Sequence, residues 1–378
     1  MSEQVCTRCV MDTTDPSITF DAAGVCSHCH TFDSEIAPGW FPNEDGLRKL
    51  EATIARIKEA GRGNEYDCIL GLSGGLDSSY LAYKIRDYGL KPLVVHVDAG
   101  WNSELAVYNI EQIVKYCGYE LYTRVMNWDE IRDLQVAFLR SGIANLDVVQ
   151  DHAFFSSLYH FAVQNNIRYV ISGGNVASES VFPSSWHHSH MDAINIRDIH
   201  KRFGEGKLRD YKTISFFQYF FYYPFVRKMN VVRPLNFMPY NLNDALQELV
   251  DVVGYKVYGR KHGESRFTKF FQNHYLPVKF GYDKRKAHYS SLVLSGQMTR
   301  EQACERLAEP LYDPVELEED IEYVAKKLRI SVDELKQLTA AEGLPYSAYK
   351  NWDSRYQALS KLKRFLESLS GKRIRTYS

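Results

Sequence analysis

The apolar run Tyr66-Asp67-Cys68-Ile69-Leu70-Gly71-Leu72 ends on Ser73-Gly74-Gly75 and passes without a linker into Leu76-Asp77-Ser78-Ser79, the start of a helical pattern that runs to Gly89. Two adjacent glycines let the backbone come close to a polyanion, and a helix opening at that point turns its unpaired N–H groups and dipole toward the same place. The hydroxyls of Ser73 and Ser78 add donors. A plain helix cap would explain Asp77 and Ser78 but not the Ser-Gly-Gly in front of them. The rest of the chain supplies the layer this unit needs. KPLVVHVD (91–98), YELYTRV (119–125), RYVISGG (168–174) and VVRPL (231–235) read as strands, with helices over 103–117, 128–140 and 151–165. Apolar strands alternating with helices predict an α/β, doubly wound parallel sheet, with its ligand beyond the C-terminal strand ends where strand order reverses.

With 378 residues, 45% hydrophobic and 13% aromatic, the chain can bury a large core and is not intrinsically disordered. Its 46 Lys and Arg against 47 Asp and Glu leave a net charge of −1, so no chain-wide field attracts polyanions or membranes. No apolar run approaches the roughly 18 residues of a membrane span, and MSEQVCTRC has no export pattern, so a cytoplasmic protein without stable membrane insertion is expected. The organisation expected is a cysteine-dense module over 1–42, the α/β domain over 43–240 and a mostly helical region over 241–378. The aromatic block FFQYFFYYPF (216–225) reads as a packing segment or oligomer contact, with sugar stacking or membrane touching as the alternative. His187, His188 and His190 read as loop or packing residues.

Four of the seven cysteines form Cys6-x2-Cys9 and Cys26-x2-Cys29, sixteen residues apart. This is two-knuckle zinc spacing, and four thiolates leave no open coordination position, so the expected Zn²⁺ is structural. His28 and His30 are bystanders beside a complete ligand set. Asp77 poses a different problem. A carboxylate inside a phosphate site is repelled by its ligand unless a cation lies between them, which predicts Mg²⁺.

Ser73–Ser79 behind an apolar strand, with the next strand ending in Val95-His96-Val97-Asp98, resembles the PP-loop or N-type ATP pyrophosphatases, the Rossmann-like group of asparagine, GMP and NAD synthetases and tRNA-thiolating enzymes. The resemblance implies ATP as cosubstrate, cleaved to AMP and pyrophosphate. It further implies that Gly71, Ser73, Gly74, Gly75, Asp77, Ser78, His96, Asp98, Gly173 and Asn175 hold the ATP or pyrophosphate. Gly173 to Glu179 is similar to the synthetases' second turn, whose final acid helps to bind Mg²⁺, so Glu179 is implied as Asp77's partner. Arg233-Pro234-Leu235 resembles the family's late strand.

CTRCVMDTTDP, GVCSHC and the stretch from Lys261 to Glu301 resemble the N-acetyl sugar amidotransferases of bacterial lipopolysaccharide O-antigen and related surface glycan biosynthesis, the WbpG/PseA type. That resemblance implies conversion of an N-acetyl group of a nucleotide-linked sugar, a diacetamido uronic acid for instance, to an acetamidino group. The route is O-adenylation followed by attack of ammonia. The ammonia is implied to come from separate glutaminase and ammonia-channelling subunits, since Cys68, Cys117 and Cys304 sit on no nucleophile pattern.

Residues 256–290 carry nine Lys/Arg against two Asp/Glu, and 301–345 carry five against twelve. The basic stretch is the expected substrate face, with Lys261, His262, Arg266, Lys269, Lys279, Lys284, Arg285 and His288 for carboxylate and phosphate groups and Glu264 and Gln272 for sugar hydroxyls or ammonia. Asp77, Glu179 and Lys269 are the catalytic candidates. A tRNA-thiolating enzyme, using the same basic stretch for RNA, is the rival reading; the favoured one needs no nucleic acid.

Overall fold

A computed structural model describes residues 4–258 and 264–370. Lys261 and His262 lie outside the described residues. The N-terminal cysteine module ends in α1 (Ser27–Thr31). It is followed by α2 (Glu44–Ala60), β1 (Cys68–Gly71), α3 (Leu76–Ile85), β2 (Pro92–Asp98), α4 (Glu104–Cys117), β3 (Glu120–Val125) and α5 (Trp128–Ser141). Then come α6 (Val148–Gln164), β4 (Tyr169–Ile171), α7 (Val176–Glu179), α8 (Ala193–Phe203), β5 (Asn230–Val232) and α9 (Leu242–Val253). The C-terminal region adds α10 (Arg266–Phe270), α11 (Leu276–Phe280), α12 (Lys284–Leu294), α13 (Arg300–Leu307), α14 (Pro314–Leu328), α15 (Val332–Ala340) and α16 (Asp353–Ser370).

All five strands are parallel, in the order β3-β2-β1-β4-β5. Successive side chains of a strand point to opposite faces, and the sequence uses both. Ile69, Val95 and Val170 enter one apolar core, while Leu70, Val94 and Ile171 enter the other. This is the doubly wound α/β sheet that the strand pattern predicts. Strand order reverses between β1 and β4, so the loops after these two strands lie side by side.

Two segments depart from the sequence pattern. The late strand is only Asn230–Val232; Pro234 has no N–H to extend the ladder, and residues 234–237 turn into a 3₁₀ helix. The aromatic block forms a π-helix over Gln218–Val226 with Pro224 inside it, burying Tyr223 but exposing Phe217, Phe225 and Val226. The opposite charges of 256–290 and 301–345 meet across the C-terminal helices. Arg266 Nε donates to Asp320 at 2.9 Å, and Lys269 bonds Asp320 at 3.0 Å and also Glu316.

Candidate active site

The loop after β1 is held from several sides. Ser73 Oγ and Ser78 Oγ are 3.0 Å apart, the Ser73 N–H reaches Ser78 Oγ at 3.3 Å, and the Gly75 N–H reaches Ser73 Oγ at 3.2 Å. Gly74 sits at φ +85°, and a Cβ there would lie 2.9 Å from the Ala106 carbonyl oxygen, so glycine is required twice over. The Gly74 carbonyl accepts from both Tyr255 and Tyr258 hydroxyls, at 3.0 and 2.9 Å. Helices α2, α4, α5, α8 and α9 all begin on a side chain that caps their first N–H groups. In contrast, α3 begins on Gly75 with no side-chain cap. Its first N–H groups have no intrahelical acceptor, at the place where the sequence calls for an anion.

The neighbouring loop after β4 packs directly on this helix start. A Cβ on Gly173 would meet Ser78 N at 2.9 Å and Ser78 Cα at 3.0 Å, so the approach of the two loops depends on glycine. Asn175 caps α7 through Ser178 N–H at 2.9 Å and returns its own amide N–H to the Gly173 carbonyl at 3.2 Å. Asn236 accepts from Val176 N–H at 2.8 Å, tying the turn after β5 to the same corner. Glu179 ends α7; one of its carboxylate oxygens lies 3.8 Å, and Arg233 Nε 3.6 Å, from where a Gly174 Cβ would stand. Asp77 accepts a hydrogen bond from the Tyr240 hydroxyl. Burial first, and then Asp77, push the Tyr240 phenol up from its ordinary value, with a smaller contribution from the charge of Glu179. Asp77 at the start of α3 and Glu179 at the end of α7 are thus the acids of the two neighbouring loops.

Other expected residues support the loops. His96, at the end of β2, donates from Nδ1 to the Leu72 carbonyl at 2.9 Å, and its Nε2 is 2.8 Å from Asn102 Nδ2. With both ring nitrogens engaged and burial lowering its pKa, His96 stays neutral and braces the β1 loop. Asp98 accepts from Gly100 N–H at 2.7 Å. Gly71 makes room for Phe154 on α6, whose ring would be 2.6 Å from a Cβ.

The candidate substrate residues fall into two groups. Residues 264–266 run beside the turn after β2: Ser103 N–H donates to the Glu264 carbonyl at 2.8 Å and Arg266 N–H to the Trp101 carbonyl at 3.3 Å. The Glu264 carboxylate thereby comes 3.4 Å from the Cβ position of Gly75. Lys284, at the start of α12, stands 4.6 Å over the Phe182 ring. His288 Nδ1 lies 3.1 Å from the Ser178 carbonyl oxygen, so Glu264, Lys284 and His288 belong to the rim of the two loops. Arg266, Lys269, Arg285 and Lys279 are engaged elsewhere. The first two bind the acidic face of α14, Arg285 binds Asp283 and the carbonyls of Leu307 and Glu309, and Lys279 binds the carbonyls of Leu338 and Ala341. Gln272 is half-buried on the π-helix Phe271–Tyr275.

The sequence reading missed Asp147 and Asp151, at the mouth of α6. Asp147 accepts from Thr268 and Gln150 at 3.0 and 3.2 Å. Burial first, then Asp147 and Glu179, push the Asp151 carboxyl up to about 8 against the opposing pull of Lys284. A lone Asp-x3-Asp gives no signal before the fold brings Glu179 and Lys284 to it. Tyr240, Tyr255 and Tyr258 were equally silent, because tyrosine is common in this chain.

The four cysteines converge on one point. Their Sγ atoms all lie within 4.8 Å of one another, with separations of 3.8 Å for Cys6–Cys29 and 3.6 Å for Cys9–Cys26 and Cys26–Cys29. Four sulfurs on a tetrahedral ion with bonds of about 2.3 Å stand about 3.8 Å apart, so the cluster fits Zn²⁺. His28 and His30 hydrogen-bond to Asp15 and Asp21 instead. Among the described residues no other group of three or more His, Cys, Asp or Glu has metal-holding geometry; His188 pairs with Asp192 at 2.9 Å, and His187 with Asn145 at 2.9 Å.

Residues 264–363 match the family described as LPS biosynthesis protein WbpG-like, C-terminal domain. No curated protein matches the chain. Solved structures that it resembles include an NH3-dependent NAD synthetase from Campylobacter jejuni subsp. jejuni NCTC 11168, at 20% identity and a TM-score of 0.28, covering 36% of this chain. The chain spans 59% of the length of that synthetase. An NMN synthetase from Francisella tularensis matches at 17% identity and a TM-score of 0.35, covering 76% of this chain and 96% of that one.

Proposed function

We propose that this chain, which carries a WbpG-like C-terminal domain, is an ATP-dependent, AMP-forming amidotransferase that converts an N-acetyl group of a nucleotide-linked sugar to an acetamidino group. One observation carries the reading. The uncapped start of α3 carries Asp77 and packs against the loop that leads to Glu179, and Glu264, the first residue of the WbpG-like stretch, brings its carboxylate 3.4 Å from the Cβ position of Gly75. The nearness of that loop to the WbpG-like stretch supports a reaction between ATP and a sugar.

An amide carbonyl is a poor electrophile and its oxygen a poor leaving group. Transfer of AMP to that oxygen corrects both, and attack of ammonia then expels AMP. The Ser73–Ser79 loop and the α3 N-terminus would hold the departing pyrophosphate through N–H and hydroxyl groups. Asp77 and Glu179 would hold Mg²⁺, which supplies charge neutralisation on the phosphates. Arg233, with Nε 3.6 Å from the Gly174 Cβ position, and Lys284 supply positive charge at this corner, while Asp147, Asp151 and Glu264 offer acceptors for sugar hydroxyls or for an incoming amine. Lys261 and His262 remain candidates on sequence grounds. Ammonia reaches this cleft from separate glutaminase and channelling subunits.

The thiolation alternative gains nothing from the cysteines: Cys68 is buried in β1 with its thiol pushed up by burial, and Cys304 is exposed on α13. The purified protein is tested with ATP, Mg²⁺, an ammonium salt at alkaline pH and a panel of nucleotide-linked diacetamido sugars. Sugar-dependent release of AMP and pyrophosphate, with a sugar lighter by about one dalton as oxygen is replaced by NH, is expected. AMP release with tRNA and with no sugar would overturn the reading.

A further inference from the structure

β3 is an edge strand: it pairs with β2 alone, and among the described residues nothing bonds to its outer side. Five of its six residues are exposed, Val125 at 66%. Exposed edges of this length commonly carry protection against pairing, such as a proline, a bulge or charged side chains. Glu120-Leu121-Tyr122-Thr123-Arg124-Val125 has no proline, and its two charges, Glu120 and Arg124, are of opposite sign.

The sequence is instead complementary to itself. Laid antiparallel on a second copy about a two-fold axis through Tyr122, it sets Glu120 opposite Arg124 at both ends and Tyr122 opposite Tyr122. Leu121 then faces Thr123, and Val125 faces Tyr119. Shifting the register by one residue sets Glu120 against Val125 and loses both charge matches. The strand's two faces suit this arrangement. Tyr122 stacks on Phe161 of α6 at 4.5 Å between ring centroids, and the Tyr119 hydroxyl bonds the Ala82 carbonyl on the other side. Both outward rows are therefore anchored where a partner would meet them. Beside the strand's start lies a hollow of about 540 Å³, lined by Glu65, Tyr66, Glu120 and Tyr122 among others, where an arriving Arg124 would find two carboxylates.

We infer that β3 is a self-association edge at which two copies of this chain pair antiparallel about Tyr122, joining their sheets into one of ten strands. The pairing is small beside a standard stable interface, so it forms a concentration-dependent dimer.

Sedimentation of the full chain tests it with Glu120→Arg, Arg124→Glu and the double exchange, each checked for native circular dichroism. The wild type should dimerise. Each single reversal converts two attractive pairs per dimer into two repulsive ones and should weaken the dimer at least about tenfold, and the double exchange should restore it. A wild type that stays monomeric, a dimer indifferent to the single reversals, or one that the double exchange fails to rescue would overturn the inference.

Discussion

Gly173 shows how much a single missing atom decides at the residue scale. Its Cβ would collide with backbone atoms of Ser78, which cannot swing away as a flexible side chain would. Gly173→Ala should therefore part the two loops at a cost of about 1–3 kcal/mol, read in calorimetry as ATP affinity falling about ten- to a hundredfold with little change in far-ultraviolet circular dichroism. Asp77→Ala should abolish AMP formation while zinc content, measured by metal analysis, stays at the wild-type level; retained turnover would remove Asp77 from its proposed role. The glycines and Asp77 were legible because their spacing alone implies close approach and an anion. His96 was legible only as a residue near the site: that its two nitrogens are taken up by Leu72 and Asn102 is a fact of the third dimension. The basic residues were the least legible, since nothing local distinguishes Lys284 on the rim from Lys269, which is drawn to Asp320 fifty-one positions away.

Among the elements, α6 and α12 do the most to shape the cleft. α6 carries His152 in its buried face; Nδ1 is 2.7 Å from the His190 carbonyl oxygen, and Nε2 accepts from Ile214 N–H at 3.1 Å. Burial lowers its pKa to about 4. A folded-state pKa below the usual value of about 6.5 means that the unfolded chain binds the extra proton first. The contribution is thus whole above pH ~6.5 and is lost as pH falls toward 4, at about 1.4 kcal/mol per pH unit. His187 and His190, lowered mainly by burial, act in the same direction. Urea unfolding at pH 7 and pH 5 should show this loss, and His152→Gln should flatten the slope by about one proton. α12 is a strut with two ends to serve: Ser290 accepts from Val10 N–H in the cysteine module at 3.2 Å, and Ser291 from Val181 N–H just past Glu179 at 2.9 Å. Ser291→Ala would leave a buried N–H unpaired and should cost about 1–3 kcal/mol in denaturant unfolding. The starts of the strands, fixed by apolar runs between turn residues, could be read within a residue or two, whereas β4 and β5 end three residues earlier than their apolar runs suggest. The π-helix over 218–226 could not, because its aromatic residues have no helical period and distant rings such as Tyr159, Trp352 and Tyr356 pack against them.

Across the whole molecule, the cysteine module is tied into the region that closes the cleft. Arg300 donates to the Cys6 and Cys9 carbonyls at 3.0–3.1 Å, Lys286 bonds Asp12, and the four cysteines share an apolar core with α6 and α14 residues. Metal removal should therefore be felt beyond the module. Chelation of zinc, or Cys9→Ser, should raise hydrogen exchange in α12 and α13 as well as in residues 4–31, whereas β1 and β2 stay protected. Exchange confined to the N-terminal segment would show the module to be an independent appendage. The sequence marks this module by spacing alone, and its seat against α12 depends on contacts nearly 300 positions apart.

The position of Glu264 has a consequence for recombination between relatives. The stretch matching the WbpG-like domain begins on the residue that touches Gly75, so the seam between the two sequence modules runs through the cleft rather than behind it. A chimaera joined near residue 263 would exchange the wall facing Gly75 while leaving the loops after β1 and β4 whole. Its success would rest on the bonds crossing that seam, among them those from Ser103 N–H to the Glu264 carbonyl, from Arg266 N–H to the Trp101 carbonyl and from Leu344 N–H to the Gly142 carbonyl. Main-chain bonds of this kind are indifferent to side-chain drift, and so, on the proposed function, shuffling at this seam would change the acceptor without rebuilding the loops that meet ATP.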